Sequence, residues 1–219
     1  MPIEAVILDV DGTVATCPYD FDAMRAAVRR VAVQRGVEAA ALDIPGVIEQ
    51  IDAVASRLGD DGPAFRAEAE AAVVALEVGA ARQARLLPSA EEALSRLRQS
   101  RIGVALITRN CRAASEIVLR GLSAYDVLLT RDDVPRAKPD PDHVYRSLAA
   151  LRRTVDRAAM VGDHAYDMEA GRAAGVRLSV GVRTGSSSDD ALLSAGADDV
   201  IDSIADLPAW LDNHREVAP

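Results

Sequence analysis

The sequence predicts a doubly wound α/β sheet with an all-helical insertion, and three observations carry that expectation. Short runs rich in Val, Ile and Leu recur along the chain: "EAVILDV" (4–10), "IGVALIT" (102–108), "DVLLT" (126–130), "AAMVGD" (158–163), "RLSVGV" (177–182) and "DDVI" (198–201). Helix-like segments separate most of them, at 89–99, 111–121, 141–152, 165–174, 189–195 and 204–214. Strands alternating with helices imply an open, mainly parallel sheet covered on both faces. The third observation is where the alternation fails. Between residues 16 and 87 the pattern reads as consecutive helices with no strand signal between them.

The first run ends in Asp9, Asp11, Gly12 and Thr13. Two acids spaced two apart at a strand end can point into one crevice, and Gly12 lets the chain turn sharply behind them. The insertion then reads "FDAMRAAVRRVAVQRG", "PGVIEQIDAVASRLG" and "PAFRAEAEAAVVALEVGAARQ". Gly36 and Gly59 are expected as helix stops and Pro45 and Pro63 as first-turn residues, with Pro18 and Pro88 near hinges. The division expected is therefore a discontinuous α/β core, residues 1–15 and 88–219, and a helical lid, residues 16–87.

Ligands of open α/β sheets gather outside the carboxyl ends of the strands. The second run delivers Thr108, Arg109 and Asn110 there; the third is followed, after a loop, by Lys138; the fourth delivers Gly162, Asp163 and, one helical turn on, Asp167. Lys138 is the only lysine among 25 Lys and Arg residues. An ammonium is a compact point charge and a guanidinium a broad planar fork, so a narrow site holding one anion can demand the former.

These residue types suit phosphoryl chemistry. A carboxylate such as Asp9 can attack phosphorus if a metal ion screens the repulsion, and a neighbour such as Asp11 can protonate the leaving alcohol. Mg²⁺ takes hard oxygen ligands and needs few from the protein; Asp163 is expected as a direct ligand and Asp167 as its partner. Four carboxylates would repel a phosphate dianion, so Lys138 must balance charge beside the ion, with Asp11 protonated in the attacking state. Thr108 and the backbone N–H groups of residues 109 and 110 are placed to bind phosphoryl oxygens. Each residue alone has an ordinary structural explanation. Their placement after successive strands is what links them.

Composition narrows the partners. Hydrophobic residues make up 49% of the chain but aromatics only 3%, and the formal net charge is −9. A nucleic-acid partner is not expected, because phosphate-backbone binding needs clustered positive charge. No segment has the length of a membrane span, and the N-terminus lacks the basic and apolar regions of a signal peptide. Cys17 and Cys111 fit neither a disulfide framework nor a metal motif. A cytoplasmic protein with no membrane partner is expected; the sequence is silent on oligomeric state.

Together "LDVDGT", "LITRN", "AKPDPD" and "MVGDHAYDMEAGRAAG" resemble the four ordered motifs of the haloacid dehalogenase superfamily, phosphatase branch. The resemblance covers the whole Rossmann-like core and makes the insertion similar to the family's helical cap. It implies Asp9 as nucleophile, Asp11 as acid/base, Thr108 and Lys138 as phosphate-binding and catalytic residues, and Asp163 and Asp167 as the motif-four acids. It also implies Mg²⁺ held by Asp9, the backbone carbonyl of Asp11, and the motif-four acid. "DFDAMR" and "LLTRDDVPRAKPDP" are similar to a phosphoglycolate-phosphatase-like subgroup. Leu8 stands where Phe is frequent, and Arg109 replaces a smaller or different residue; it is a candidate substrate contact with Asn110. Dehalogenases proper lack an acid at the position of Asp11. The expected function is Mg²⁺-dependent hydrolysis of a small phosphorylated metabolite, such as phosphoglycolate or a sugar phosphate, through an aspartyl-phosphate. A phosphomutase of the same superfamily is one alternative. A phospho-receiver or partner-binding module is another, disfavoured by motif order.

Overall fold

The protein, described by a computed structural model over residues 2–38 and 43–214, divides into two compact units, Met1–Cys17 with Ala84–Pro219 and Pro18–Gln83.

The larger unit is the expected parallel α/β sheet. Its strands are β1 (Ala5–Asp9), β4 (Gly103–Ile107), β5 (Val127–Leu129), β6 (Ala158–Gly162), β7 (Leu178–Val182) and β8 (Asp199–Ile201), in spatial order β5-β4-β1-β6-β7-β8. All neighbours run parallel, with Asp9 opposite Ile107 at the end of the β1–β4 ladder and Leu8 opposite Val161 near the end of β1–β6. Every residue of β1 and β6 is buried, which is why these runs read as continuously apolar. The helices are α4 (Ala90–Gln99), α5 (Arg112–Val118), α6 (Asp142–Leu151), α7 (Ala165–Ala174), α8 (Asp189–Ala195) and α9 (Leu207–Asn213). Ile7, Ile107 and Met160 pack with Val144 and Leu148 of α6 and Ala170 of α7. Strand alternation sends the equally buried Leu8, Val104 and Leu106 to the other face.

Two segments differ from the sequence expectation. The helix expected over 111–121 ends at Val118, and the one expected over 204–214 begins as a 3-10 turn, Ile204–Asp206, with α9 following at Pro208's first turn. A ribbon also joins the unit: β2 (Ala15–Thr16) and β3 (Arg85–Leu86) pair antiparallel, Ala15 with Leu86 and Thr16 with Arg85. Two residues per strand are too few to show alternation.

The smaller unit is helical: α1 (Phe21–Gln34), α2 (Val47–Leu58) and α3 (Gly62–Ala81). Asp20 caps α1 by accepting the Ala23 N–H at 2.8 Å. Pro45 lies before the first turn of α2 and not in it, because Gly46 is the N-cap. Met24, Val28, Ile51, Phe65, Ala69 and Val73 form this unit's own core, so the helices do not depend on the sheet for an apolar partner. Among the described residues no helix is long and apolar enough to cross a membrane.

Candidate active site

Parallel pairing of β1 with β4 and β6 brings their carboxyl ends side by side, and the loops beyond them hold the titratable cluster. Asp9, Asp163 and Asp167 are buried, and each offers a carboxylate oxygen within 4.8 Å of the others. Lys138 reaches this cluster from the loop after β5. Its ammonium donates to Asp167 Oδ1 at 2.5 Å and to Asp9 Oδ1. Only 3% of the lysine is exposed, so two acids and one compact cation share a space closed to water. Burial alone would pull its pKa down, but the Asp167 and Asp9 carboxylates outweigh that and hold it above the ordinary lysine value. Burial pushes Asp9 well up; Lys138 opposes the rise and the other acids add to it. Asp163 is also raised, mainly by burial.

Asp11 stands apart from this triad. Its Oδ2 accepts from the Asn110 amide at 2.5 Å and from the Thr108 hydroxyl at 3.4 Å. Its Oδ1 is buried and has no hydrogen-bond partner among the described residues. Burial pushes the carboxyl up to about 7, against the lowering influence of Lys138 and these hydrogen bonds. A group with that value is poised to give and take a proton near neutrality. The Asn110 N–H, expected at a phosphoryl oxygen, here donates to Thr108 Oγ1 at 3.1 Å. The Asn110 side chain acts on Asp11, a role the sequence did not suggest.

The loop after β7, "TGSSSDD" (184–190), reads in sequence only as a polar connection, yet it supplies residues to the site. Ser186 donates its backbone N–H to Asp163 Oδ2 at 2.8 Å and its hydroxyl to the same oxygen at 3.2 Å. Thr184 donates to the Gly12 carbonyl at 2.5 Å, tying this loop to the turn after β1. That turn needs glycine twice over: Gly12 has φ +88°, and a Cβ there would sit 2.6 Å from Asp163 Cγ. Side chains at Gly162 and Gly185 would likewise collide with the carboxylates of Asp167 and Asp163. The acids therefore lie in a cradle of bare backbone. Asp167 gains a second anchor as its Oδ2 accepts the His164 N–H at 3.0 Å in the capping box that opens α7.

Arg109 lies with its guanidinium carbon 4.9 Å from the Tyr166 ring centroid. His143 is fully buried on α6, its Nε2 donating to the Thr130 carbonyl at 3.1 Å. Arg66, on α3, pairs with Asp52 at 2.6 Å and Glu70 at 3.3 Å within the helical unit.

Three buried carboxylates against one ammonium leave negative charge uncompensated, and the repulsion among them adds to the burial that raises Asp9 and Asp163. An all-oxygen donor set of this kind fits a hard divalent cation.

A parallel sheet with acids at its carboxyl edge and a helical insertion after the first strand defines a class of α/β hydrolase. The family model for haloacid dehalogenase-like hydrolases matches residues 3–175, and the chain belongs to that family. It is 30% identical to a phosphoglycolate phosphatase from Cupriavidus necator over 96% of this chain and 94% of the relative. Among solved structures it is similar to a phosphonoacetaldehyde hydrolase-like protein from Oleispira antarctica, with TM-score 0.71 and 23% identity over 97% of this chain and 92% of that one. It is also similar to a provisionally assigned β-phosphoglucomutase from Thermotoga maritima, with TM-score 0.63 and 25% identity over 96% and 99%.

Proposed function

We propose that the protein is a Mg²⁺-dependent phosphatase acting on a small phosphate monoester through an aspartyl-phosphate on Asp9. The arrangement of Asp9 among Asp163, Asp167 and Lys138, with Asp11 held separately by Asn110, is the observation that carries this reading. Asp9, Asp163 and the Asp11 backbone carbonyl would hold the ion, with Asp167 beside them. When bound it supplies positive charge that screens an incoming phosphate from the carboxylates.

Asp9 attacks phosphorus and the ester P–O bond breaks; Asp11, protonated on its unpartnered Oδ1, passes that proton to the departing oxygen. Water then attacks the aspartyl-phosphate. Asp11, now a carboxylate, takes the water proton, and inorganic phosphate leaves with Asp9 regenerated. Lys138 uses two of its three N–H donors on Asp9 and Asp167, which leaves one for a phosphoryl oxygen. Thr108, whose hydroxyl donates to Asp11 Oδ2 at 3.4 Å, is the second phosphoryl contact in this reading. The helical unit is proposed as the cap that selects substrate.

The test is phosphate release from p-nitrophenyl phosphate and 2-phosphoglycolate with Mg²⁺, with and without EDTA. Asp9→Asn should abolish it while the protein stays folded; undiminished release from that variant rules the mechanism out. The likeness to a β-phosphoglucomutase supports a second reading, in which the phosphoryl group passes to another hydroxyl. Isomerised sugar phosphate without released phosphate would favour it.

A further inference from the structure

The amino edge of the sheet, at the end of β4 away from Thr108, carries a groove of about 740 Å³. Small-molecule sites span roughly 300–1,000 Å³, so the groove has room for a ligand of that kind. Ile102 and Leu151 give it an apolar wall, and Arg98, Arg101 and Arg153 line it beside Asp126.

In a chain of net charge −9, cations are in local excess here. Asp126 is matched by Arg98, whose Nη2 stands 2.9 Å from Asp126 Oδ1. Glu4 is shared between two arginines. Arg157 bonds its Oε1, while Arg153 Nε lies 3.9 Å from Oε2 and donates to the Glu4 carbonyl at 3.4 Å. The Arg101 side chain has no ion pair or hydrogen bond among the described residues. Two acids cannot neutralise these four guanidiniums.

Arg101 is also held in a backbone conformation that an arginine disfavours. Helices α1, α2, α7 and α8 close on Gly36, Gly59, Gly175 and Gly196 in the left-handed region. α4 and α6 close on arginines instead, Arg101 at φ +61° and Arg152 at φ +55°. The Ile102 N–H donates to the Leu97 carbonyl at 3.0 Å across the first of these turns, and the Arg153 N–H to the Leu148 carbonyl at 2.9 Å across the second. Such turns favour glycine, because a Cβ crowds the following carbonyl oxygen. The helix dipole does not explain the exception, since Arg96 and Arg98 already stand in the last turn of α4. Both turns lie at one groove, which Arg101 and Arg153 line.

We propose that this groove binds a small polyanion, a compound carrying two or more phosphoryl or carboxylate groups. A guanidinium fork takes one such group through paired hydrogen bonds. Arg101 and Arg153, borne on the ends of two different helices, take two groups of one ligand. The site is separate from the acidic centre, which stands at the carboxyl edge of the same sheet.

Calorimetric titration in EDTA tests this, with tripolyphosphate, tricarballylate and inorganic phosphate as probes. At least one of the two polyanions should bind at one site per chain, about tenfold or more tighter than inorganic phosphate, which fills a single fork. The double variant Arg101→Gly with Arg153→Ser should lose that advantage, and Lys138→Arg, altered in the acidic centre, should keep it. The tighter of the two polyanions names the groups as phosphoryl or carboxylate. Arg101→Gly alone should weaken the binding yet raise the urea midpoint, because the left-handed turn favours glycine; an arginine that served only the helix end would give a lower midpoint. Polyanion binding no tighter than that of phosphate, affinity untouched in the double variant, its loss in Lys138→Arg, or a less stable Arg101→Gly protein overturns the proposal. The phosphatase reading stands or falls separately, on phosphate release from the wild-type protein.

Discussion

Asn110 donates its side-chain amide to Asp11 at 2.5 Å, although the two residues belong to different strand-end loops. The bond occupies one Asp11 oxygen; the other is buried and, among the described residues, has no hydrogen-bond partner, which suits the acid role proposed for it. Positioned acid–base groups contribute roughly 10²–10⁴-fold to rate, so Asp11→Asn should lower kcat within that range for an alkyl phosphate. The loss should be far smaller with p-nitrophenyl phosphate, whose leaving group departs without a proton. Asn110→Ala should show the same pattern more weakly. Equal losses on both substrates would mean Asp11 is not the acid.

Lys138 occupies a space that water does not enter, between two carboxylates. An arginine fork is too broad for it, so Lys138→Arg should cost at least about a hundredfold in kcat, because displaced groups in a preorganised site lose that much. Lys138→Met should be worse for stability. Removing one partner of a buried ion pair typically costs about 3–5 kcal/mol, because the remaining charge stays buried and unmatched. Urea melts in EDTA would show this loss, and added Mg²⁺ should restore part of it. Wild-type kinetics in Lys138→Arg would show that any cation suffices.

Gly185 touches nothing catalytic by its own chemistry, having no side chain. Its substitution matters through Asp163, whose carboxylate fills the space a Cβ would need. Gly185→Ala should therefore push Asp163 aside, breaking its bonds to Ser186, and raise the Mg²⁺ concentration for half-maximal activity by about tenfold, the scale of losses when groups supporting a metal ligand are disturbed. Activity at saturating Mg²⁺ should fall less. An unchanged Mg²⁺ titration would remove Asp163 from the metal-binding set.

Much of this site could be read from the sequence because chemistry and topology coincide there. A parallel strand buried on both faces is a continuous apolar run, so its end is visible, and Asp9, Thr108 and Asp163 each stand at such an end. Lys138 was visible as the one lysine in an arginine-rich chain. Thr184, Gly185 and Ser186 were not. They lie in "TGSSSDD", whose composition describes any polar loop, and their roles depend on β7 lying beside β6, a long-range fact. The β2–β3 ribbon was hidden for a related reason: each strand is two residues long, and its partner lies across the whole insertion. Arg109 was legible as a candidate, but the Tyr166 ring beside it was not, since nothing local links the two.

His143 yields a prediction about stability. It is fully buried, its Nε2 donates to the Thr130 carbonyl, and its Nδ1 has no hydrogen-bond partner among the described residues. Burial, with the Lys138 and Arg109 charges, pushes its pKa down to about 4 against help from the Thr130 carbonyl and Asp133. The unfolded chain keeps the ordinary value of 6.5. Between those values the unfolded state binds a proton that the folded state refuses, so this residue destabilises the fold as pH falls through the window. Above it both states are neutral and the penalty vanishes; below it both are protonated and the penalty grows no further. From about pH 7.5 to about pH 5 the loss amounts to about 2 kcal/mol by linkage. His143→Gln keeps an amide that can reach the Thr130 carbonyl and cannot titrate. Urea melts of both proteins at the two pH values isolate the histidine: wild type should lose about 2 kcal/mol more than the variant. Parallel losses would mean that His143 accepts its proton inside the folded protein, and that β5 and α6 open around it more readily than the buried geometry implies.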